Sequence, residues 1–531
     1  MKNSRYIPFA ATGALSVIGA SLASAGLISP LWAVAPAALF MVGVYDKIQT
    51  KHSVLRNYPI AGHFRYLFES IRPEIRQYFF ESDTDEAPFS RAVRSLAYQR
   101  GKNDPDVQAF GTKINVMMPA HEWMSHSMVP TKIPSSDFRI TVGENSKQPY
   151  SMSVFNISAM SFGSLSANAI EALNLGAKMG NFAHDTGEGS VSPYHRQHGG
   201  DLIWEIGSGY FGCRNSDGSF SSEAFARTAN EPQIKMIEIK LSQGAKPGHG
   251  GVLLSAKITA EIAATRGIPM GVDCVSPSSH SEFSTPIEFA YFIKKLRDLS
   301  NGKPVGFKFC VGHPWEFFAI LKAFIETDIY PDFIVVDGSE GGTGAAPKEF
   351  ADHIGTPLQE GLVFVHNTLV GLNIRDKIKI GASGKIITAF DMARAFALGA
   401  DWVNSGRGFL LGGLGCIQAL SCSSGNCPTG IATQDKERQK ALVVPDKAKR
   451  VYNFHHNSMH ALLEVLQAAG VMHPSELKAH HIMKRISPTA SAPLSTMLNL
   501  LEPGDLVNGN YKYEVYKNYW EKAKATTFNF D

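Results

Sequence analysis

The sequence predicts an α/β protein: a (β/α)8 TIM barrel, preceded by a transmembrane helical hairpin and carrying a three-cysteine loop after its last strand. Three observations lead there. From Val154 onward, eight short β-branched or continuously apolar segments alternate with helix-like ones, as parallel strands buried on both faces do. Polar and glycine-rich motifs follow those segments, where a barrel gathers its active-site loops. From Tyr6 to Tyr45 there is no charged side chain.

Composition narrows the class. A chain of 531 residues suits one large domain with additions. A net charge of +3 with 19% charged residues gives no basic excess, so no nucleic-acid partner is expected. Six cysteines, three of them between positions 416 and 427, fit a reducing compartment better than a disulfide framework.

Residues 1–50 read as the hairpin. Ile7–Gly26 and Leu27–Tyr45 are each long enough to cross a bilayer core of about 30 Å, and Gly26, Ser29 and Pro30 supply the turn. Lys2 and Arg5 precede the hairpin, and Lys47, Lys51 and Arg56 follow it. Positive charge on both flanks places both ends in the cytoplasm, with the protein at the inner membrane and its catalytic domain facing inward. Two readings compete: a signal peptide cleaved near Ala23-Ser24-Ala25, and a hairpin buried in a soluble protein. Residues 51–88 are basic and aromatic, suited to a helix on the membrane surface or on the main domain. They end in the acidic linker Ser82–Ala87. Residues 89–150 lead into the barrel, residues 151–440 form it, and residues 441–531 make a C-terminal helical extension that begins with a helix over Pro445–Gly470.

The predicted barrel strands are Val154–Ser161, Asn181–Asp185, Met236–Leu241, Met270–Val275, Val305–Val311, Phe333–Asp337, Ile378–Ala382 and Trp402–Asn404. Helix-like segments between them include Ala167–Met179, Ser255–Arg266, Pro286–Leu299, Pro314–Glu326 and Ala389–Leu398. An open doubly wound sheet is the alternative arrangement.

Several motifs carry chemistry. After the first strand, Ser158, Ala159, Met160 and Ser161 open a run of small residues that lets a flat ring approach the backbone. Lys308 interrupts an otherwise apolar fifth strand, and a buried lysine is costly unless paired; a reduced ring carbonyl or a structural carboxylate are its two candidate partners. Lys240, Gln243, Lys246 and Lys257 gather around the third predicted strand, and such a set suits a dicarboxylate, although surface lysines need no ligand. Glu188, in the turn Thr186–Gly189, is a carboxylate at the mouth suited to an ammonium group or to proton transfer. Glycine loops follow the last three strands: Gly341, Gly342, Thr343 and Gly344; then Ser383 and Gly384; then Ser405, Gly406 and Arg407. Loops after the last two strands are where barrels commonly hold phosphate. Cys416, Cys422 and Cys427 have no CxxC pair and are too few for a structural zinc site. Cubane clusters usually take four cysteines, so three suggest a cluster with one corner missing or one iron left open; buried unreactive cysteines are the other reading. His184, His195, His198, His280 and His313 are scattered without metal-ligand spacing, and Cys213, Cys274 and Cys310 read as buried small apolar residues.

Taken together, Gly415-Cys416, Cys422, Asn426-Cys427-Pro428 and Gly430–Gln434 resemble the cluster loop of glutamate synthases. Ser158–Ser164, Thr186–Gly189, Ile239–Gly248 and Gly338–Pro347 match further motifs in the family's order, over roughly residues 100–470. The resemblance implies the barrel, FMN, and a [3Fe–4S] cluster on Cys416, Cys422 and Cys427. It also implies a flavin-side role for Lys308 and reductive amination of a 2-keto acid, as in 2-oxoglutarate to glutamate. Small-molecule keto and amino acids are then the ligands, with an electron donor or acceptor that the residues do not name. The pattern departs at His249, where large glutamate synthases usually have Glu, and that unsettles the substrate. Related amino-acid oxidation, N-alkyl-glutamate synthesis, and an electron-transfer subunit with a degenerate pocket are the alternatives. The first cysteine is Cys213, so no N-terminal cysteine glutaminase is expected, and a separate subunit would supply ammonia or electrons.

Overall fold

The computed structural model describes residues 4–84 and 88–530. Lys2 and part of the predicted linker, residues 85–87, therefore lie outside the described residues. The chain divides into two compact units, Met1–Arg91 and Ala92–Asp531.

In the first unit, α1 (Ile7–Ser24) and α2 (Leu31–Ile48) form the predicted hairpin, turning through residues 25–30. By length and composition both helices could cross a bilayer. They pack through aromatic and small residues: Phe9 stacks on Phe40 at 5.0 Å, and Gly19 lies against Ala33. Most of their other large apolar side chains, including Val17, Leu31, Trp32 and Met41, face outward. Asp46 ends α2 fully buried, accepting hydrogen bonds from the Ile60 amide at 2.9 Å and from His63 Nε2 at 2.9 Å. These bonds pin the start of α3 (Gly62–Ile75) to the hairpin's end. Phe64, Leu67, Phe68 and Ile71, spaced along one face of α3, are exposed.

The second unit is a closed eight-stranded parallel barrel. Its strands are β1 (Phe155–Ile157), β2 (His184–Asp185), β3 (Leu202–Ile206), β4 (Ile234–Lys240), β5 (Val305–Phe309), β6 (Phe333–Asp337), β7 (Lys379–Ser383) and β8 (Trp402–Ser405). Each pairs with the next, and β8 closes on β1 through Asn404 opposite Asn156. Major covering helices are α4 (Ala167–Gly180), α5 (Pro286–Leu299), α6 (Pro314–Thr327), α7 (Leu358–Gly371) and α8 (Ala389–Ala397). The 26-residue α9 (Val444–Ala469) lies against α4. Serine and threonine start several of them: Ser166 accepts from the Ala169 amide and Thr285 forms a capping box with Glu288.

Two strand predictions need correction. Met270–Val275 is not a barrel strand: only Cys274–Val275 is extended, paired antiparallel with Val252–Leu253, and Met270, Val272 and Val275 are exposed. The true third strand is Leu202–Ile206, all five residues buried. Its Glu205 breaks the apolar run that marks such strands, and an apolar run alone does not tell a barrel strand from a surface segment. Lys240 and Gln243 consequently follow the fourth strand, not the third.

Side chains alternate in and out along barrel strands, and the interior is layered. At the N-terminal end Ala183, Ile203, Met236, Phe333, Val335 and Trp402 pack with Val142, Tyr150 and Met152. The last three belong to the hairpin of Arg139–Val142 and Tyr150–Ser153, which stoppers that end. Two residues further along their strands sit Asp185, Glu205 and Glu238, joined by Lys308. The segment before the barrel and the C-terminal extension are not independent, since Glu122–Met124 pairs with Ile482–Ser487.

Candidate active site

The C-terminal ends of the strands assemble most of the predicted site residues. Lys240 closes β4, with its Nζ 3.1 Å from Glu188 Oε1 and 3.3 Å from Gln243 Oε1. Gln243 donates to the Gly342 carbonyl at 3.0 Å, and Lys246 Nζ donates to the Ala345 carbonyl at 3.1 Å. The GGTG loop is thus held against the lysine-bearing turn after β4. Asp337 reinforces the join by accepting from the Gly244 amide at 2.8 Å.

Charge is unevenly shared here. Burial would raise the Glu188 pKa, but Lys240, Arg266 and Lys246 outweigh it and leave the carboxyl below its ordinary range. Burial lowers the Lys246 pKa, and Lys240 lowers it further against Glu188. One carboxylate therefore faces three cations, an arrangement that calls for an anion. Gly251 lies so close to Glu188 that a Cβ there would fall 2.4 Å from Oε1, so the β4–β5 connection forms one wall of this pocket. His280, buried, holds the Lys240 carbonyl at 2.9 Å and contacts Tyr210 Oη at 3.2 Å. Burial keeps it neutral, with its pKa pulled down to about 4.

Lys308 stands elsewhere. It is not at the mouth but one layer below, hydrogen-bonded to Glu205 and 3.4 Å from Glu238. The carboxylate is one of the two partners expected of it, and Glu205 supplies it. Burial raises the pKa of Asp185 to about 7, with Glu205 adding to the rise against Lys308. Burial likewise pushes Glu238 well up, and Asp185 adds to it. Asp185, Glu205 and Glu238 carry this cluster, and none of the three stands out in the sequence: Glu205 lies on the unrecognised strand, and Asp185 and Glu238 look like ordinary strand residues.

The first and eighth loops meet. Ser158 donates its amide to the Ser405 carbonyl at 3.1 Å, and a Cβ on Gly406 would reach Met160 Sδ at 3.5 Å and Ser158 Cβ at 3.7 Å. Ser161 donates to Ser164 at 3.1 Å. Asn404, one layer above Trp402, is buried with Oδ1 unpartnered, and buried polar atoms normally have a partner. Arg407 donates to the Glu340 carbonyl at 2.6 Å, and burial lowers its pKa to about 10 against Asp337 and Glu340. The small-residue bed, the orphaned Asn404 oxygen and the glycine at 406 fit a flat polar ligand such as a flavin. Ser383 fits a phosphate role less well, because its hydroxyl already donates to Asp337. Gly384 follows it with φ +150°, where a side chain would be strained.

The three cysteines are free thiols on the loop after β8, which first winds through a wide π-type turn, Phe409–Leu414. Gln418 and Leu420 hold positive φ, a strained backbone of the kind that marks functional loops. Burial raises the Cys416 pKa to about 11, and the Cys422 and Cys427 thiolates raise it further. Burial would also raise that of Cys427, yet amide and hydroxyl donors from Ala432, Thr429 and Ile431 bring it below the usual value. Among the described residues, the trio whose ligand atoms come within 4.8 Å of one another is Asp185, Glu205 and Glu238. The cysteines are therefore not drawn together for a single ion. Three thiols on one loop, with amide and hydroxyl donors at Cys427, are a donor set of the kind that holds a polynuclear cluster.

Lys257 is not brought together with the other predicted substrate residues. Its Nζ donates to the Cys422 carbonyl at 2.8 Å. Burial lowers its pKa, opposed by Cys422 and Cys427, so its ammonium belongs to the cysteine loop.

A closed parallel barrel with its polar groups gathered at the C-terminal mouth is an enzyme scaffold. Residues 100–472 match the family described as the conserved region in glutamate synthase. The chain belongs to the glutamate synthase family, whose enzymes are oxidoreductases acting on CH–NH2 donors. It is 38% identical over 492 residues to the glutamate synthase large subunit-like protein YerD of Bacillus subtilis, covering 85% of this chain and 93% of that one. It is 37% identical over 316 residues to the archaeal glutamate synthase [NADPH] of Methanocaldococcus jannaschii, covering 59% of this chain and 58% of that relative. A Thermotoga maritima relative, an archaeal-type glutamate synthase [NADPH], is 35% identical over 314 residues, with 59% and 58% covered.

Proposed function

We propose that this chain reductively aminates a 2-keto acid of the 2-oxoglutarate type, taking free ammonia or a simple amine, as a membrane-anchored enzyme facing the cytoplasm. The observation that carries the reading is the pocket of Lys240, Lys246 and Gln243 around Glu188, locked to the GGTG loop.

In this reading FMN, held by the loops after β1, β7 and β8, supplies the hydride, and a [3Fe–4S] cluster on Cys416, Cys422 and Cys427 supplies single-electron exchange. The chain's own residues do the rest. Lys240 and Lys246 bind the substrate carboxylates, charge-assisted contacts that fix orientation as well as affinity. A carboxylate arriving at Lys240 competes with Glu188, which is then left ionised to hold the incoming ammonium. Gln243 presents its amide beside Lys240, and its bond to Gly342 keeps that loop over the pocket. Lys308 acts from below as a positioning residue.

The test is single-turnover reoxidation of the anaerobically reduced protein. With 2-oxoglutarate, ammonium is expected to support amino-acid formation and glutamine is not. Turnover on glutamine by highly pure protein, or silence with every keto acid and nitrogen source, would contradict the proposal. His249, whose ring meets Phe350 edge-on at 5.4 Å, favours one variation, a related keto acid or an alkylated amine, and the same assay ranks these. Anchoring rests on the outward-facing apolar side chains of α1 and α2, and release of the full chain by a carbonate wash would contradict it.

A further inference from the structure

The β4–β5 connection touches two places at once. At Gly251 it walls the pocket against Glu188. A few residues on, a short 3-10 turn, Ser255–Lys257, delivers Lys257 to the cysteine loop. Two contacts seat that side chain. Its Nζ donates to the Cys422 carbonyl at 2.8 Å. Its stem lies over Gly425, where a Cβ would come 3.3 Å from Lys257 Cε. Gly425 has φ +77°, a left-handed turn that favours glycine, so the lysine covers the bend between two of the three thiols.

We infer that Lys257 is a positioning residue of the three-cysteine centre, fixing the Cys422–Cys427 bend and setting the reduction potential of the cluster bound there. The inference rests on the cluster reading above. A cluster on three thiolates is anionic and gains one more negative charge on reduction. A cation beside it stabilises the reduced form, and charge and hydrogen bonding are recognised levers on such potentials. The role is specific to Lys257 among the lysines after β4. Lys240 and Lys246 turn to Glu188 and Ala345, leaving Lys257 alone of the predicted substrate set at the thiols. Other groups also face the loop: Arg94 lowers the Cys416 pKa, and Arg438 donates to the Asn426 carbonyl at 3.3 Å. Loss of Lys257 is therefore expected to shift the potential, not to abolish binding.

The experiment uses the full-length, detergent-solubilised protein reconstituted anaerobically with iron and sulfide, as wild type, Lys257→Gln, Lys257→Met and Lys257→Arg. Iron and labile sulfide are counted, and the cluster potential is read by dye-mediated titration followed by electron paramagnetic resonance. Lys257→Gln keeps a donor and removes the charge. It is expected to retain iron and lower the potential by about 59 mV, a tenfold change in a one-electron equilibrium. Lys257→Met removes both and is expected to lower the potential and lose part of the iron. Lys257→Arg restores the wild-type value. An unmoved potential in Lys257→Gln with full iron overturns the inference. So does a raised KM for the keto acid with an unchanged cluster, which would return Lys257 to the substrate. Wild-type protein that takes up no iron overturns the cluster reading itself, an outcome distinct from either.

Discussion

Two charged clusters lie one layer apart in the same barrel, and they differ in charge balance and in exposure. In the lower one, Asp185, Glu205 and Glu238 share a single lysine, Lys308, with side chains 1–5% exposed for the ion-paired members. In the upper one, Glu188 faces Lys240 and Lys246 with Arg266 near, and the Lys240–Glu188 pair is 12% and 16% exposed. The lower cluster has surplus carboxylate, which burial resolves by retaining protons. The upper has surplus cation and reaches the mouth, so an anion completes it. A buried pair gives little net stability but is costly to break. A pair at a cationic mouth can exchange one partner for substrate. The same residue types therefore stand in opposite balance in the two layers, with excess carboxyl in the buried one and excess cation in the one nearer the mouth.

The strongest way to break this contrast is to remove the cation from the lower layer. Lys308→Met leaves the three buried carboxyl groups without the cation they share and is expected to destabilise the barrel by about 3–5 kcal/mol, read by thermal unfolding of the solubilised full-length chain. A variant as stable as wild type would show that Lys308 is not held for structure. Lys240→Met removes a cation from the layer that has too many. It is expected to leave unfolding almost unmoved while kcat/KM for the keto acid falls roughly ten- to hundredfold, the worth of about 1.5–3 kcal/mol for a charged hydrogen bond. Equal loss of stability in both variants would erase the distinction.

The gentlest probe is pH. Asp185 has a folded pKa raised to about 7, above its unfolded value, so the folded state binds the extra proton. That stabilisation is present at low pH and is lost as pH rises towards 7. Asp185→Asn keeps an acceptor for the Gly187 amide, which Asp185 Oδ1 holds at 3.0 Å. It is expected to stabilise the protein more at pH 8 than at pH 5, by about 2–3 kcal/mol. A variant whose benefit is larger at pH 5 would reverse the sign and contradict the protonated lower layer.

Much of this architecture was legible because it is local. Apolar runs such as Phe333–Asp337 and Val305–Phe309 mark strands by composition, and the uncharged stretch before Asp46 marks a hairpin by length. What was not legible depends on partners distant in sequence. Leu202–Ile206 was overlooked because Glu205 reads as a surface residue until Lys308, about a hundred positions on, is known to meet it. For the same reason the carboxylate that Lys308 meets cannot be named from its strand alone. Lys257 carries a charge that suits a carboxylate, and no spacing rule says that its connection reaches Cys422 instead. Lys240, Gln243 and Glu188 come together as their motifs suggest, because those motifs follow strand ends, where barrel topology brings loops together whatever their order.

The central claim is that the upper layer is built for an anion with two carboxylates. Its most direct test is equilibrium titration of the full-length protein with 2-oxoglutarate and with a 2-keto acid of similar length bearing one carboxylate, at low and moderate salt. The account predicts tighter binding of the dicarboxylate and a preference that weakens with salt. In Lys240→Met that preference is expected to vanish. Equal affinity of wild-type protein for the two acids, or a preference unchanged in Lys240→Met, would contradict it.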